Sequence, residues 1–288
     1  MAGSTSGVQE KILLASPILE AWGNAKTIRN NNSSRFGKFI EIWFGRNSDI
    51  IGASTTTYLL EKSRVVFQER DERNYHVFYQ LLFGAPTEVL TELRLLDLLR
   101  DPNSIALINQ SGCIRVDTID DTADHAEVQH ALKSLNFSTE DVIVMNKIIA
   151  GVLHMGNVQL LSPTDSETCT VSPDTLMFLT NAVDMWGVHP DLIKQALLLK
   201  TVKSGGKRNS FVLTPLTHNA AIENKNALTK EIYNRCFDWI VSKVNAAMGA
   251  TGHNIGSIGV LDIFGFEIFK KVCTLTVYIY IFIYIYEH

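Results

Sequence analysis

Apolar and polar positions alternate along the chain in patterns that predict most of its elements. Residues 8–22 carry Ile12, Leu13, Ile18 and Leu19 on or near one helical face, with Pro17 expected to bend or divide that helix. Residues 24–38 are dense in Asn, Ser, Gly, Lys and Arg and read as a loop. Residues 39–44, FIEIWF, alternate as a strand, and residues 55–60 are placed to pair with them as a hairpin. Helical spacing returns at 74–82, 124–135 and 138–154, with the break Asn136-Phe137 between the last two. Ser138 followed by Asp141 predicts a helix-starting cap, with Asp in place of the usual Glu. Further helices are expected at 172–186, 190–199 and 217–248, and residues 200–209 (KTVKSGGKRN) read as a basic, glycine-containing loop. The run 255–263, IGSIGVLDI, predicts a short buried strand that delivers the carboxylate of Asp262 to a site.

Composition narrows the class. An apolar fraction of 46% and a charged fraction of 19% are those of a globular protein able to bury a core. A net charge of −4 gives no general attraction to nucleic acid or acidic lipid. Cys113, Cys169, Cys236 and Cys273 are far apart and form no CxxC pair, so they suggest reduced thiols in a cytosolic protein. His76 and His154 sit within helical patterns without a second ligand at helical spacing and read as packed or surface histidines. Residues 1–7 hold no apolar run and do not form a secretory signal.

Residues 272–286, VCTLTVYIYIFIYIY, lack any charge and hold Tyr278, Tyr280, Tyr284 and Tyr286. They fall short of the ~20 apolar residues of a bilayer span, so a membrane partner is not expected. Their aromatic and β-branched composition favours an aggregation-prone strand.

Two segments far apart in the chain hold the groups that a nucleoside-triphosphate site needs: a hydroxyl and a carboxylate for Mg²⁺, and backbone N–H groups for phosphate. NNNSSRFGK at 30–38 supplies Ser33 and Ser34, and DIFGFE at 262–267 supplies Asp262 and, at Gly265, backbone open to close approach. Arg35 and Glu267 are an opposite-charge pair able to close one segment on the other. Taken singly, a Ser-Ser-Arg or an Asp at a strand end is commonplace.

The longer strings are more specific. RNNNSSRFGKF resembles switch I of myosins and LDIFGFE resembles switch II. Kinesins share Ser-Ser-Arg but continue with Ser-His and carry a Leu-Ala-Gly-Ser-Glu type of second switch. Phe36-Gly37-Lys38 and Ile263-Phe264-Gly265-Phe266 favour myosin. LLASPILEAWGNAKT at 13–27, LLEKSRVVFQERDERNYHVFYQLL at 59–82, GVLHMGNVQL at 151–160 and ALTKEIYNRCFDWIVSKVN at 227–245 extend the resemblance in family order. It covers residues 8–269, whereas residues 270–288 resemble nothing in a myosin.

The resemblance implies an α+β, mainly helical fold. It would be part of a P-loop NTPase-type motor domain, the upper 50-kDa subdomain with a few central-sheet strands. It also implies ATP and Mg²⁺ as ligands, the actin filament as partner, no nucleic acid, and a place in the cytoplasmic actin cytoskeleton. Asn30 would contact the phosphates, and Ser33 would hold the attacking water. Ser34 would bind Mg²⁺ directly and Asp262 through water, the Gly265 N–H would bond the γ-phosphate, and Arg35 with Glu267 would close the site. The basic stretch with Lys200, Lys203, Lys207 and Arg208 matches an actin-contacting loop. Ser210 lies sixteen residues before Asn226, at a regulatory position where myosins carry an acidic or phosphorylatable residue.

No GxxxxGK(S/T) occurs in the sequence. The nearest cluster, Ser204-Gly205-Gly206-Lys207, lacks the first glycine and is followed by Arg208. The expectation is a motor fragment that does not hydrolyse ATP alone. The alternatives are a non-catalytic actin-binding remnant or a protein tethered by its apolar tail, a tail otherwise expected to be foreign to the motor.

Overall fold

A computed structural model of the chain describes residues 7–162, 169–203, 211–250 and 252–263. Helix α1 (Val8–Gly23) runs undivided through Pro17. The carbonyl that loses its partner there belongs to Leu13, whose residue is 74% exposed, so water can serve it. Leu13 therefore lies off the packed face, which is formed by Ala15, Ile18, Leu19 and Trp22.

The stretch expected as a loop after α1 contains two short strands, β1 (Asn24–Ala25) and β2 (Ser33–Ser34), paired antiparallel. Strand β3 (Gly37–Phe44) then pairs antiparallel with β4 (Ile50–Tyr58), a hairpin whose second strand starts and ends earlier than the expected 55–60, with an irregularity after Trp43. Ser48 takes φ 61° in the connecting turn.

Helices follow: α2 (His76–Gly84), α3 (Thr87–Glu92), α4 (Ala106–Asn109), α5 (Asp121–Ser134) and α6 (Thr139–Gly156). Helix α5 starts earlier than its apolar pattern because the Asp120 carboxylate caps the N–H groups of Thr122 and Ala123. Helix α6 has the expected box: Ser138 Oγ accepts from Asp141 N at 3.0 Å, and Asp141 Oδ2 accepts from Ser138 N at 2.9 Å.

Short strands β5 (Leu160–Leu161) and β6 (Thr170–Val171) pair before α7 (Leu176–Trp186), which ends on left-handed Gly187, and α8 (Pro190–Leu198). The expected basic loop is a strand over its first part: β7 (Leu199–Lys203) pairs with β8 (Phe211–Pro215). Cross-strand pairing of Val202 with Val212 and Thr201 with Leu213 sets this register, a signal that the neighbouring lysines concealed in the sequence. Helix α9 (His218–Ala247) spans 30 residues, and β9 (Gly256–Asp262) completes a three-stranded sheet in the order β4-β3-β9.

The main core gathers around α9. Tyr233 stacks on Tyr75 and Phe78 at 5.0 and 5.4 Å, and Phe237 meets the edge of Phe36 at 5.2 Å. A second cluster, with Met155, Val158, Leu179, Val183 and Leu197, lies under α7 and α8. Strand β9 is not buried as its apolar run predicts. Ile258 and Leu261 are 57% and 59% exposed, because among the described residues β9 is an edge strand paired only with β3, with the Phe39 ring lying against it at Gly259.

Candidate functional site

Segment 24–38 is shaped by its own polar side chains. Thr27 N donates to Asn30 O at 2.8 Å, and Asn32 N donates to Asn30 Oδ1 at 2.9 Å, folding the asparagine run into a turn. Asn31 Nδ2 reaches Thr118 Oγ1 at 2.7 Å. The Asn32 amide donates to Glu20 Oε2 at 2.8 Å and accepts from Asn24 Nδ2 and His76 Nε2 at 3.0 and 3.1 Å. Burial, then the nearby Arg73 cation, pushes the His76 pKa down to about 4, so the ring is neutral. Asn30 itself is exposed.

Ser34 Oγ donates to Phe36 O at 2.8 Å, which leaves its oxygen lone pairs for another ligand. Ser33 Oγ accepts from Arg35 Nη1 at 3.3 Å. Arg35 is buried, and its Nε meets Glu61 Oε2 at 2.7 Å, a partner that sequence reasoning did not supply. Phe36 packs where Gly23 has no side chain. A Cβ on Gly23 would lie 2.2 Å from the ring.

The second segment reaches the first through the sheet. β9 runs antiparallel beside β3, so that Lys38 sits opposite Asp262 and their side chains pair at 3.6 Å. Gly37 would bring a Cβ within 3.4 Å of Ile263. Segment 30–38 and the Asp262 carboxylate, distant in sequence, are thus neighbours. Gly265 and Glu267 lie outside the described residues, as do Lys207, Arg208, Ser210 and the tail 270–288. Lys200 is exposed on β7, and Lys203 ends that strand.

The profile of the myosin head (motor domain) family matches residues 2–279. The chain belongs to the myosin motor-domain family. Among its relatives, myosin heavy chain IB of Acanthamoeba castellanii is 42% identical over 278 residues, which is 94% of this chain and 22% of that protein. Myosin IB heavy chain of Dictyostelium discoideum is 39% identical over 94% of this chain and 25% of its own length. Myosin-13 of Arabidopsis thaliana is 37% identical over 91% of this chain and 17% of its own. The chain therefore spans about a quarter or less of these myosins. The fold matches the expectation of a mixed, mainly helical piece of a myosin motor domain, with small sheets.

The Ser34 hydroxyl and the Asp262 carboxylate are each oxygen donors of the kind that a hard divalent cation such as Mg²⁺ takes. Among the described residues no group of three His, Cys, Asp or Glu side chains could hold a metal ion.

Proposed function

We propose that this chain carries the γ-phosphate-sensing part of an actin-based, ATP-driven motor, with 30–38 acting as switch I and 262–267 as switch II. The observation that carries the reading is the pairing of β3 with β9, with Lys38 against Asp262 at 3.6 Å. That register ties the two segments mechanically, so a ligand contacting both senses their separation. Ser34 and Asp262 would hold Mg²⁺, which supplies charge neutralisation to the phosphates when bound. Asn30 would contact the phosphates, Ser33 would orient the attacking water, and the Gly265 N–H would bond the γ-phosphate. Glu267 would meet Arg35 on closure. The exposed β7–β8 hairpin joins Lys200 to apolar Val202, Phe211 and Leu213, a surface suited to an acidic filament such as actin.

The test is a chimaera in which residues 8–269 replace the matching segment of the Acanthamoeba myosin IB relative. Actin-activated ATP turnover is expected, with losses of roughly 100-fold or more in Ser34→Ala and Arg35→Glu. The double swap Arg35→Glu with Glu267→Arg should recover part of the activity. Full turnover in Ser34→Ala would refute the reading. If Lys200 substitutions weaken filament binding while no variant alters nucleotide binding, the actin-binding remnant is the better description.

A further inference from the structure

The strongest unassigned feature is a line of four charges behind segment 24–38. Glu61 Oε2 accepts from Arg35 Nε at 2.7 Å and from Arg64 Nε at 2.8 Å. Arg64 Nη1 continues to Glu72 Oε2 at 2.8 Å and to the Arg73 carbonyl at 3.1 Å. Glu72 Oε1 accepts from the backbone N–H of Ile28 at 3.4 Å. The line therefore begins at Arg35, passes through two carboxylates and a second guanidinium, and returns to Ile28.

Its burial sets it apart from an ordinary surface network. The side chains of Arg35, Arg64 and Glu72 are 10%, 5% and 13% exposed, and Glu61, which bridges the two guanidiniums, is 33% exposed. Exposed ion pairs contribute little, but buried charges must be matched, and here signs alternate so that each interior charge is held on both sides. The backbone fixes the same line: Glu61 N donates to Arg35 O at 2.9 Å, Tyr75 Oη donates to Glu61 O at 2.8 Å, and Arg73 N donates to Lys26 O at 2.9 Å. Gln68 holds the Arg64 carbonyl at 2.6 Å.

We infer that Arg35, Glu61, Arg64 and Glu72 form a charge clamp that couples the two ends of segment 28–35, with Glu61, Arg64 and Glu72 as positioning residues for Arg35. The coupling stands on this geometry; its consequence for phosphate sensing rests on the proposed function. Arg64 is the junction. It touches neither end of the segment, yet its fork joins the carboxylate that holds Arg35 to the one that holds Ile28. Losing Glu72 leaves Arg35 and Arg64 sharing the single carboxylate of Glu61, and losing Glu61 removes the bridge between the two guanidiniums, so either change is felt at the far end.

The test is residue-resolved amide exchange on the 288-residue chain, without nucleotide, read at Ile28 and Arg35 against Ile149 and Leu153 in α6. Glu72→Gln keeps an acceptor for Ile28 but removes the charge that Arg64 needs. It is expected to speed exchange at Arg35, which Glu72 does not touch, on the order of tenfold or more relative to α6. Glu61→Gln should do the same at Ile28. Arg64→Lys, a milder change that keeps the charge but loses the fork, should move both ends together and serves if a Gln variant unfolds. Effects confined in each variant to the end it touches would overturn the clamp. Inactivity of the chimaera described above would count against the switch reading alone, because the exchange measurement uses no nucleotide.

Discussion

Tyr233, midway along α9, donates its hydroxyl to the carbonyl of Trp22 at 2.7 Å, across 211 residues of sequence. That carbonyl lies near the end of α1, where helical bonding runs out, and the hydroxyl supplies its partner. Tyr233→Phe should retain the stacking on Tyr75 and Phe78 but leave a buried acceptor unmatched. A loss of about 1–3 kcal/mol in denaturant unfolding is expected. An unchanged midpoint would mean that water replaces the hydroxyl.

Gly23 faces the Phe36 ring, and a methyl group there would overlap it. Gly23→Ala should destabilise the chain by roughly 1–3 kcal/mol through overpacking. Phe36→Leu in that background should recover part of the loss, because the smaller side chain can yield. No recovery would place the strain elsewhere.

His76 makes stability depend on pH. Its pKa falls from 6.5 unfolded to about 4 folded, chiefly through burial. The unfolded chain then binds more protons between those values, so this contribution is complete above about pH 6.5 and is lost as pH falls towards 4. The loss is on the order of 3 kcal/mol. His154 and His125, also lowered by burial, act in the same direction. Urea midpoints measured from pH 7 to 4 should fall less steeply in His76→Gln; parallel curves would show that His76 does not titrate in this range.

Purified on its own, the 288-residue chain should hydrolyse ATP no faster than background. Its sequence has no GxxxxGK(S/T) loop to cradle phosphates, and the two segments proposed as switches would lack most of that binding energy alone. Actin-stimulated turnover that disappears in Arg35→Ala would contradict this.

Ser210 follows Lys207-Arg208-Asn209, a basic context suited to a kinase, and a phosphate there would add about −1.5 to −2 charges. In the chimaera, Ser210→Glu should raise actin-activated turnover above Ser210→Ala. Equal values would make it an ordinary loop serine.

Periodicity alone located α2, α5, α6, α8 and α9 and the β3–β4 hairpin, since each is stabilised by contacts between near neighbours that a local pattern records. The capping box of Ser138 and Asp141 was legible for the same reason, and the strings NNNSSRFGK and LDIFGFE carried the family. What depends on partners distant in sequence was not legible. The apolar run at 255–263 looks buried, but whether a strand is covered depends on neighbours, and among the described residues β9 pairs only with β3. The basic run hid β7 because lysines and a cross-strand valine pair can share one strand. The charges in LEKSRVVFQERDER carry no pairing pattern that a local reading could use; folding placed Glu61 on Arg35 and Arg64 on Glu72. Sequence records which charges are present, but only the three-dimensional fold decides which are withdrawn from water and must find one another.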